Sequence, residues 1–550
     1  MFENPISSKV QNTKRFQEIV KILAKYGFAE WAKDSHPEFI KKKFIAVDGQ
    51  DISTLPWEKR LSMALMELGP TFIKLGQMLS TRSDLIGPEL AKELSALQAD
   101  VPADPYEIVQ LTIESEFGKP VDEIFADFDH QALSSASIGQ AHIARLADGT
   151  EVIVKVQHPG IEAKVNEDFN ILTALVGLAE KNNALLRQYQ PTAIMAEFRR
   201  SLMKEMDFMV ELRNLDRLIA NFEDEPFLHI PQPYPEYSSR RVLTMEMLEG
   251  YSVANLEQIT QDGVDTEAFT QRMIDIFLKM IFRDGFYHAD PHPGNIYLLP
   301  DERFGLLDCG KVGTVDQQTQ ETFAGILQAF MSQDSAQLVD DLIRFCSVPY
   351  DLDRDAFQAE IGDLVEGLGD QLSSGSGMSE LVNILFDVIR KYHIVAPSRV
   401  VLLFTVILLL EGTARQLHPG FNFIDSLQPY MTRIMIWRYS PKNLFRKVLR
   451  TYKGWDNLIK DLPRNLSIVI NRLREGQIEI QLHLRGFDKQ INRLAYSVLT
   501  AALFLGSAFL WGMKAPPVIN DISVFGVLGT IVSVFLLISL LWNIHKSGGR

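Results

Sequence analysis

Hydrophobic residues along most of this chain recur at mixed three- and four-residue spacing, which is typical of helices with one apolar face. In the first hundred residues this spacing predicts helices at 14–32, 57–68 and 71–81, and Gly69-Pro70 separates the second from the third. A long helical region follows Pro191, and further helices are predicted at 267–285, 317–331, 336–346, 356–368 and 379–392. The apolar run 400–410 is too short to cross a bilayer and is predicted to be a buried core helix.

The pattern changes to short alternating runs between residues 133 and 157, where Asp148-Gly149 marks a hairpin turn. Val152–Lys155 is predicted to be a strand, and the apolar run 241–250 is predicted to be a second strand that continues into a linker. Strands confined to one part of a largely helical chain indicate an α+β protein. The length of 550 residues allows two to four domains.

Two apolar stretches of nineteen residues each, Ala495–Met513 and Val524–Trp542, stand near the end of the sequence. At 1.5 Å per residue each would span roughly 28 Å, close to the hydrocarbon thickness of a bilayer. Their short connection carries Lys514, whereas the outer ends are flanked by more basic residues, namely Lys489, Arg493, His545, Lys546 and Arg550. The sequence therefore predicts a transmembrane hairpin with both ends in the cytoplasm.

Charge is distributed unevenly along the chain. The formal net charge is −15, which disfavours a general nucleic-acid-binding protein, yet residues 433–493 hold fourteen Lys or Arg against five Asp or Glu. A basic segment beside a bilayer is attracted to anionic lipid. Cys309 and Cys346 form no metal-type or redox-type pair, which suits a reducing compartment, and no cleavable signal peptide is predicted.

The stretch richest in candidate chemistry is His288–Asn295, which is followed after an apolar run by Asp308-Cys309-Gly310. An Asp, an Asn five residues later and then Asp-x-Gly form the pattern with which kinase-like proteins place one acid beside the acceptor and two oxygen ligands on Mg²⁺. Asp290 is therefore predicted to be that acid, and Asn295 and Asp308 the metal ligands. The nucleotide phosphates and water would complete the octahedral site.

Two simpler interpretations of this stretch remain. His288 and His292 could be a four-spaced zinc pair, but Pro291 and Pro293 oppose the helix that such a pair needs, and there is no His-Glu-x-x-His motif. The stretch could also be an ordinary polar turn. An ordered series of Asp, Asn and Asp-x-Gly is a more specific pattern than a zinc pair or a polar turn would need.

A segment of small residues precedes the strand that ends in Lys155, an order in which kinase-like proteins cover and hold phosphates. Backbone N–H groups of this segment would approach the phosphates, and Lys155 would pair with the α- and β-phosphates, although a strand-end lysine needs no such role. The predicted nucleotide-binding residues are Leu133, Ser134, Ser135, Ala136, Ser137, Ile138, Gly139, Gln140 and Lys155, with Glu246 and Met247 offering backbone groups to the adenine.

The helical region after Pro191 carries Glu205, Asp207 and Glu211. At 100° per residue Asp207 and Glu211 share a face, whereas Glu205 lies about 120° from Glu211, so this helix is predicted to offer acids in two directions. The candidate partners are Lys155 and Lys74, the latter in Lys74-Leu75-Gly76-Gln77 on the third helix. A solvated charged face is the alternative interpretation.

These motifs together resemble the UbiB family of atypical kinase-like proteins over nearly the full chain. The resemblance rests on Lys74-x-Gly76-Gln77, the small-residue loop at 133–140, Glu205-x-Asp207, His288-x-Asp290 with Asn295, and Asp308-x-Gly310. It implies a bilobal protein-kinase-like fold in which the Lys-x-Gly-Gln helix packs over the expected peptide-substrate site. Lys74 would then face Glu205 or Asp207, and Lys155 would face Glu211. The catalytic residues so predicted are Asp290, Lys155, Glu211, Lys74, Glu205 and Asp207.

The resemblance also implies an order of domains along the chain. They are a helical extension at 1–118, a kinase-like N-lobe at 119–250, a mostly helical C-lobe at 251–430, a basic juxtamembrane segment at 431–494 and two transmembrane helices at 495–550.

The function implied by the resemblance is that of an ATPase or small-molecule kinase that uses ATP and Mg²⁺ and supports ubiquinone biosynthesis or related isoprenoid lipid handling. The kinase-like domain would lie on the cytoplasmic side of the inner membrane. The partners would be anionic lipid and prenylated quinone precursors or quinone-biosynthesis proteins. A true protein kinase is disfavoured because no Ala-Pro-Glu occurs within 308–345, and a non-catalytic nucleotide-binding scaffold because all the phosphoryl-transfer residues are present. The sequence leaves the phosphoryl acceptor and the oligomeric state open.

Overall fold

The fold is taken from a computed structural model that describes residues 14–28, 55–97, 101–182, 187, 189–349, 351–373, 378–438, 487–519 and 522–547. The chain divides into two units, Met1–Leu444 and Phe445–Arg550, and each is described here by itself.

The first unit begins with short helices that carry the Lys-x-Gly-Gln motif. Gly69, with a φ of 98°, separates the second helix from the third, and Pro70 opens the third, so the predicted break is confirmed. The apolar faces of the first five helices pack with those of two later helices into one hydrophobic cluster. The helices are α1 (Lys14–Lys25), α2 (Trp57–Leu68), α3 (Pro70–Ser80), α4 (Ser83–Ile86), α5 (Pro88–Ser95), α6 (Tyr106–Phe117) and α7 (Val121–Ile124).

A five-stranded antiparallel sheet follows, and the predicted hairpin at Asp148-Gly149 lies within it. Its order is β1-β3-β4-β6, with β2 on the other part of β3. Alternate valines of β4, Val152, Val154 and Val156, are buried against α6 and α7, which leaves Lys155 on the opposite face. The strands are β1 (Asp127–Phe128), β2 (Ser134–Ser135), β3 (Gly139–Arg145), β4 (Glu151–Gln157), β5 (Leu228–His229) of the next sheet, and β6 (Val242–Glu246).

The helical region after Pro191 is not one continuous helix. Helix α8 (Ile161–Asn182) is followed by α9 (Pro191–Glu205), which ends before Met206. Asp207 has extended backbone dihedrals, and its side chain caps α10 (Phe208–Asn221) by accepting a hydrogen bond from the Met209 amide at 3.1 Å. The prediction that Glu205, Asp207 and Glu211 lie on a single helix is therefore wrong, because an N-cap aspartate starts a second helix between them.

A second group of short strands carries the chain past both phosphoryl-transfer motifs. β5 pairs in parallel with β10, whereas β9 pairs antiparallel with β10 and β7, and a separate antiparallel pair joins β8 to β11. These strands are β7 (Tyr251–Ser252), β8 (Phe286–His288), β9 (Ile296–Leu298), β10 (Phe304–Leu306) and β11 (Val312–Thr314).

The rest of the first unit is helical and encloses a large core. The helices predicted after Asp308 are confirmed to within a few residues at most ends. The predicted core helix at 400–410 is also confirmed, within a longer helix whose apolar residues lie in the main cluster. The helices are α11 (Leu256–Gln261), α12 (Thr266–Lys279) with a π-turn at Met280–Asp284, α13 (Gln317–Met331), α14 (Ser335–Phe345), α15 (Arg354–Ser373), α16 (Met378–Lys391), α17 (Ser398–Leu417) and α18 (Phe423–Arg438).

In the second unit, two long helices, α19 (Phe487–Gly512) and α20 (Val524–Ser547), pack against each other. A short ladder of β12 (Val518–Ile519) with β13 (Ile522–Ser523) connects them. A Cβ at Gly526 would lie 2.8 Å from the Trp511 amide nitrogen, and one at Gly529 would lie 2.1 Å from the Ser507 hydroxyl, so both glycines permit close helix contact. Gly506 and Gly512 have open space instead, and most of the basic segment, 439–486, lies outside the described residues.

By length and composition, α17 is the one helix among the described residues that could cross a membrane, and 61% of its most apolar window is buried. The apolar parts of α19 and α20, Tyr496–Gly512 and Val524–Ile538, are shorter than that test requires. Many of their large apolar side chains are nevertheless exposed. The transmembrane hairpin is not confirmed and stays a prediction.

The ion pair between α1 and α8 should contribute strongly to stability. The Arg15 guanidinium donates to both oxygens of Asp168, at 2.7 and 3.2 Å, and to the Leu68 carbonyl, and the Asp168 side chain is fully buried. Asp168→Ala leaves this arginine without its main partner and should destabilise the protein by about 3–5 kcal/mol. Thermal unfolding of the full-length protein measures the loss.

The matched control is Glu162→Ala, also on α8, because its ion pair with Arg240 is about half exposed. Exposed pairs contribute about 0–1 kcal/mol, so this control should unfold close to wild type. Equal losses in the two variants would contradict the importance given to burial.

Candidate functional site

The two motif loops meet where β8 pairs with β11. The Ala289 amide donates to the Lys311 carbonyl at 2.9 Å, and the Leu307 amide donates to the Asn295 carbonyl at 3.0 Å. These two backbone bonds join the loop that contains Asp290 to the loop that contains Asp308, although the two aspartates are eighteen residues apart in sequence.

His288 fixes the relative position of the same two loops from inside the core. Its Nδ1 accepts a hydrogen bond from the Asp290 amide at 3.2 Å, and its Nε2 donates to the Asp308 carbonyl. Complete burial lowers the pKa of His288, so the ring is neutral and one nitrogen is free to accept. His292 instead accepts from the Gly294 amide, and no group of three or more His, Cys, Asp or Glu in the described part of the chain could hold a metal ion. The structure therefore gives the zinc interpretation no support.

The two predicted magnesium ligands are held with oxygen atoms available. The Asn295 side-chain nitrogen donates to the Asp290 carbonyl at 3.1 Å, which fixes the orientation of the amide and leaves its Oδ1 as the remaining acceptor. The Asp308 carboxylate accepts from the Gly310 amide at 2.9 Å and is 55% exposed. Hard oxygen donors of this kind fit Mg²⁺, and a two-residue set needs phosphates and water to complete it.

Lys155 lies between two carboxylates. Its ammonium donates to Glu211 Oε1 at 2.6 Å and lies 3.8 Å from Asp308 Oδ1. Burial opposes the charge of Lys155, but the carboxylates of Asp308 and Glu211 outweigh it and raise the pKa of the ammonium. The attraction of Lys155 lowers the pKa of Asp308, whereas burial raises the pKa of Glu211 to about 7 in spite of the same lysine. Asp308 is thus the carboxylate that stays ionised and accessible.

Lys74 on α3 forms an ion pair with Glu205 at the end of α9. Burial opposes its charge, but Glu205 first, and then Asp308 and Asp290, raise the pKa of Lys74. The ammonium therefore lies within the field of both loop aspartates. The sequence predicted that Glu205 or Asp207 would face Lys74. In the structure Lys74 pairs with Glu205, whereas Asp207 caps α10.

The glycine and glutamine of the Lys-x-Gly-Gln motif contact a different part of the chain. A Cβ at Gly76 would lie 2.3 Å from a terminal carbon of Leu97, so glycine makes room for that side chain. Gln77 donates to the Leu97 carbonyl at 2.9 Å. The motif therefore binds Glu205 on one side and fixes the segment after α5 on the other.

The predicted phosphate loop is a tight hairpin whose side chains alternate between two faces. Ser134 pairs with Ala141, which pairs with Lys155, so these three residues share the face of the site. Ser135 pairs with Gln140 and faces the other way. The buried Gln140 amide is hydrogen-bonded to the backbone of Asp104, so its side chain is engaged within the protein. The predicted contact of this segment with phosphate rests on its backbone N–H groups and stays a prediction.

The tip of this hairpin is fixed from several sides. The Ala136 amide donates to the Gly139 carbonyl, and a Cβ at Gly139 would lie 2.4 Å from the Val156 carbonyl oxygen, so this position requires glycine. Ile138 is buried in the cluster formed by the N-terminal helices. Ser137 is also buried, whereas Leu133 is exposed and its amide donates to the Ala141 carbonyl.

Of the two residues predicted to contact the adenine, Glu246 is the last residue of β6 and Met247 follows it. The Glu246 amide donates to the Gln232 carbonyl at 2.8 Å, and the Met247 amide donates to the Glu151 carbonyl at 3.5 Å. Burial would raise the pKa of Glu246, but the hydrogen bonds from His229 and from the Gln232 amide outweigh it and leave the pKa below the ordinary value. Both amides are therefore engaged within the protein, and an adenine contact would depend on other groups of this linker.

Three family models match the chain. The ABC1 atypical kinase-like domain matches residues 96–342, the UbiB helical domain matches 364–422, and the ABC1/UbiB kinase-like C-terminal domain matches 478–546.

Curated relatives match over more of the chain. A protein of Glaesserella parasuis named "Probable protein kinase UbiB" is 33% identical over 521 residues, which cover 92% of this chain and 95% of that protein. The chain belongs to the UbiB family. UbiB-family proteins of the same name from Pseudomonas aeruginosa and Azotobacter vinelandii are 34% and 36% identical, over 72% and 71% of this chain and 77% and 73% of theirs.

UbiB-family membership confirms the resemblance found in the motifs and, with the fold, a mixed α and β kinase-like domain. A solved structure of an Rv3197–erythromycin complex from Mycobacterium tuberculosis is 26% identical, covering 52% of this chain and 72% of that one, with a TM-score of 0.37. A score of that size does not establish a common fold.

Three residues of this UbiB-family site were not predicted from the sequence. Asn214 donates to the Cys309 carbonyl at 2.9 Å, and its position one helical turn after Glu211 could have indicated a shared face. Thr413 donates to the Pro291 carbonyl at 3.1 Å from α17, and Lys311 lies 3.8 Å from the Asp290 carboxylate. No spacing in the sequence indicates either of these last two contacts.

The Lys74–Glu205 pair should contribute to both stability and turnover. The two side chains are 23% and 34% exposed, so Lys74→Ala should cost about 1–3 kcal/mol, between the values for surface and buried pairs. Losing a cation near Asp308 and Asp290 should also change ATP turnover or permit autophosphorylation. Melting temperature and ATP hydrolysis measure the two effects.

Lys59→Ala is the control, because Lys59 is an exposed lysine on the neighbouring helix α2. A surface substitution of this kind changes stability by about 0.5 kcal/mol or less. If the two variants behaved alike, Lys74 would have no place in the site.

Proposed function

We propose that this protein is a membrane-anchored atypical kinase or ATPase that binds ATP with Mg²⁺ and supports ubiquinone biosynthesis or related isoprenoid lipid handling. Its relatives carry the name "Probable protein kinase UbiB", and its motifs resemble that family throughout the kinase-like part.

The observation that carries the nucleotide proposal is the position of Lys155 between Glu211 and Asp308. Kinase-like proteins use a strand lysine held by a helix glutamate to pair with the α- and β-phosphates, next to the Asp-x-Gly metal ligand. Here the three groups lie together, with Asn295 and Asp290 on the adjoining loop. Mg²⁺ bound at Asp308 and Asn295 would neutralise phosphate charge.

A small acceptor, or water, is favoured by the helical extension. Lys74 and Glu205 join α3 to α9 beside the two loop aspartates, and Gln77 ties the same helix to Leu97. An extended peptide would need the space that this helix would occupy over the acceptor side. A prenylated phenol or a comparable isoprenoid lipid is a smaller acceptor that also suits a membrane protein.

Membrane anchoring is supported by the exposed apolar surface of the second unit. Leu499, Leu505, Phe509, Phe525 and Phe535 are each between 57% and 71% exposed on α19 and α20. Large apolar side chains exposed together in this way are unfavourable in water and favourable in a bilayer. The basic residues that flank these helices favour a cytoplasmic position for the kinase-like unit, beside anionic lipid.

A protein kinase is the second candidate, and the relatives' printed name favours it. The absence of Ala-Pro-Glu from 308–345 and the Lys74–Glu205 pair both oppose it. Incubation of wild type with labelled ATP and a mixture of peptides, beside prenylated phenols in anionic vesicles, separates the candidates. Labelled peptide without stimulation by the phenols would favour the protein kinase.

Asp308→Asn should abolish magnesium-dependent nucleotide binding, because it replaces an accessible carboxylate ligand with a neutral amide beside a divalent ion and polyphosphate. The measurement is the rise in melting temperature on adding Mg·ATP, taken relative to each variant without nucleotide. Asp301→Asn is the control, since that aspartate pairs with Arg303 in a surface turn. A normal Mg·ATP shift in Asp308→Asn would contradict the metal-ligand assignment.

Removing residues 495–550 should release the protein from membranes only in part. The basic residues within 433–493 would still be attracted to anionic lipid by about 1 kcal/mol for each cation near the surface, so binding should become sensitive to salt. Sedimentation with vesicles of anionic or neutral lipid at low and high salt measures this. Failure to bind anionic vesicles at low salt would contradict the role given to the basic segment.

A further inference from the structure

Three lysines lie around the two motif loops, and two of them are already held by glutamates. Lys155 is hydrogen-bonded to Glu211, and Lys74 is paired with Glu205. The third, Lys311, follows the Asp-x-Gly motif and has no role in the proposed function as described above.

The backbone fixes where Lys311 stands. Its carbonyl accepts the hydrogen bond from the Ala289 amide, so it lies directly opposite the start of the loop that contains Asp290. Its ammonium is 3.8 Å from Asp290 Oδ2, a charge contact that is too long for a hydrogen bond. The side chain is 47% exposed. A half-exposed lysine on a flexible four-carbon stem can turn from this carboxylate to a nearby phosphate.

The position of Asp290 shows which phosphate that would be. In the proposed reaction the acceptor oxygen lies beside Asp290, and the phosphorus that it attacks is one bond further away. Lys155 is proposed to pair with the α- and β-phosphates, and Asp308 and Asn295 would hold the metal ion. Lys311 is therefore the cation at the acceptor end of the transferred group, where negative charge needs stabilisation.

We propose that Lys311 is a catalytic residue that binds the γ-phosphoryl group of ATP during transfer. This inference rests on the proposed function. In the step itself, the bond from the γ-phosphorus to the β–γ bridging oxygen breaks, and its electron pair leaves with ADP. The acceptor oxygen forms the new bond to phosphorus, and its proton passes to Asp290. Lys311 turns from Asp290 to the phosphoryl oxygens, supplies positive charge and gives up no proton.

Binding of two nucleotides to the full-length protein tests this without relying on activity. The probes are Mg²⁺ with the non-hydrolysable β,γ-methylene analogue of ATP and Mg²⁺ with ADP, measured by calorimetry in detergent. Lys311→Met should weaken binding of the analogue by about tenfold or more, the usual effect of losing a hydrogen bond to a charged group. Binding of ADP, which has no γ-phosphate, should stay within about twofold. Lys311→Arg should recover much of the lost affinity.

Lys391→Met is the matched control, because Lys391 is also an exposed lysine paired with an acid, Glu360, on the helices of the large core. It should bind both nucleotides as wild type does. Equal affinities of wild type and Lys311→Met for the analogue would overturn the role of Lys311 alone. An equal loss for both nucleotides would also overturn it, since that result assigns Lys311 to general folding or charge. Absence of magnesium-dependent binding in wild type would overturn the proposed function itself.

Discussion

The ammonium of Lys155, held between Glu211 and Asp308, is the interaction on which the rest of the site depends. It joins a strand of the first sheet, a helix and the Asp-x-Gly loop, so three separate parts of the chain meet at one charge. Because Glu211 is buried, removing Lys155 would leave the Glu211 carboxylate without its charge partner in a poorly solvated place. The same arrangement separates the two acids. Burial raises the pKa of Glu211 to about 7, whereas Lys155 lowers the pKa of Asp308, which keeps the exposed carboxylate ionised, as the proposed metal ligand must be.

The helical extension stabilises this arrangement by binding both halves of the kinase-like unit. On one side Ile138, at the tip of the small-residue hairpin, is buried among the N-terminal helices. On the other side the buried pair of Arg82 and Asp84 lies beside α17, where Thr405 donates to the Thr81 carbonyl. Helix α17 also supports the loop of Asp290 through Thr413. Moving the extension away from the two motif loops would therefore break hydrophobic and polar contacts together, which ties the geometry of the site to the extension.

Local patterns predicted much of this structure, and the failures have a common cause. The Gly69-Pro70 break and the Asp148-Gly149 hairpin depend on neighbouring residues, and both are confirmed, as are most helices predicted from periodicity. The helix predicted at 14–32 ends at Lys25, and residues 29–32 lie outside the described residues. The assumption of one continuous helix, with 100° of rotation per residue, is wrong at Met206, because the capping bond of Asp207 competes with continuation of the helix. The approach of Lys311 to Asp290, which was not predicted, depends on the pairing of β8 with β11. Pairing across a sheet is not encoded in the spacing of a single segment.

Lys74 has two physical effects that the geometry does not separate. Its pair with Glu205 holds α3 against α9, on the side proposed for the acceptor, and its charge is felt by both Asp308 and Asp290. A substitution that loosens α3 from α9 therefore also removes a cation from a site crowded with carboxylates. An arginine at the same position keeps the charge while changing the reach and shape of the contact, because a planar guanidinium is not equivalent to an ammonium. Turnover should depend on the charge, which only Lys74→Arg keeps, whereas the size of acceptor that is admitted should depend on the shape of the contact, which both variants change. Comparing the two variants therefore separates electrostatic support of phosphoryl transfer from exclusion of large acceptors.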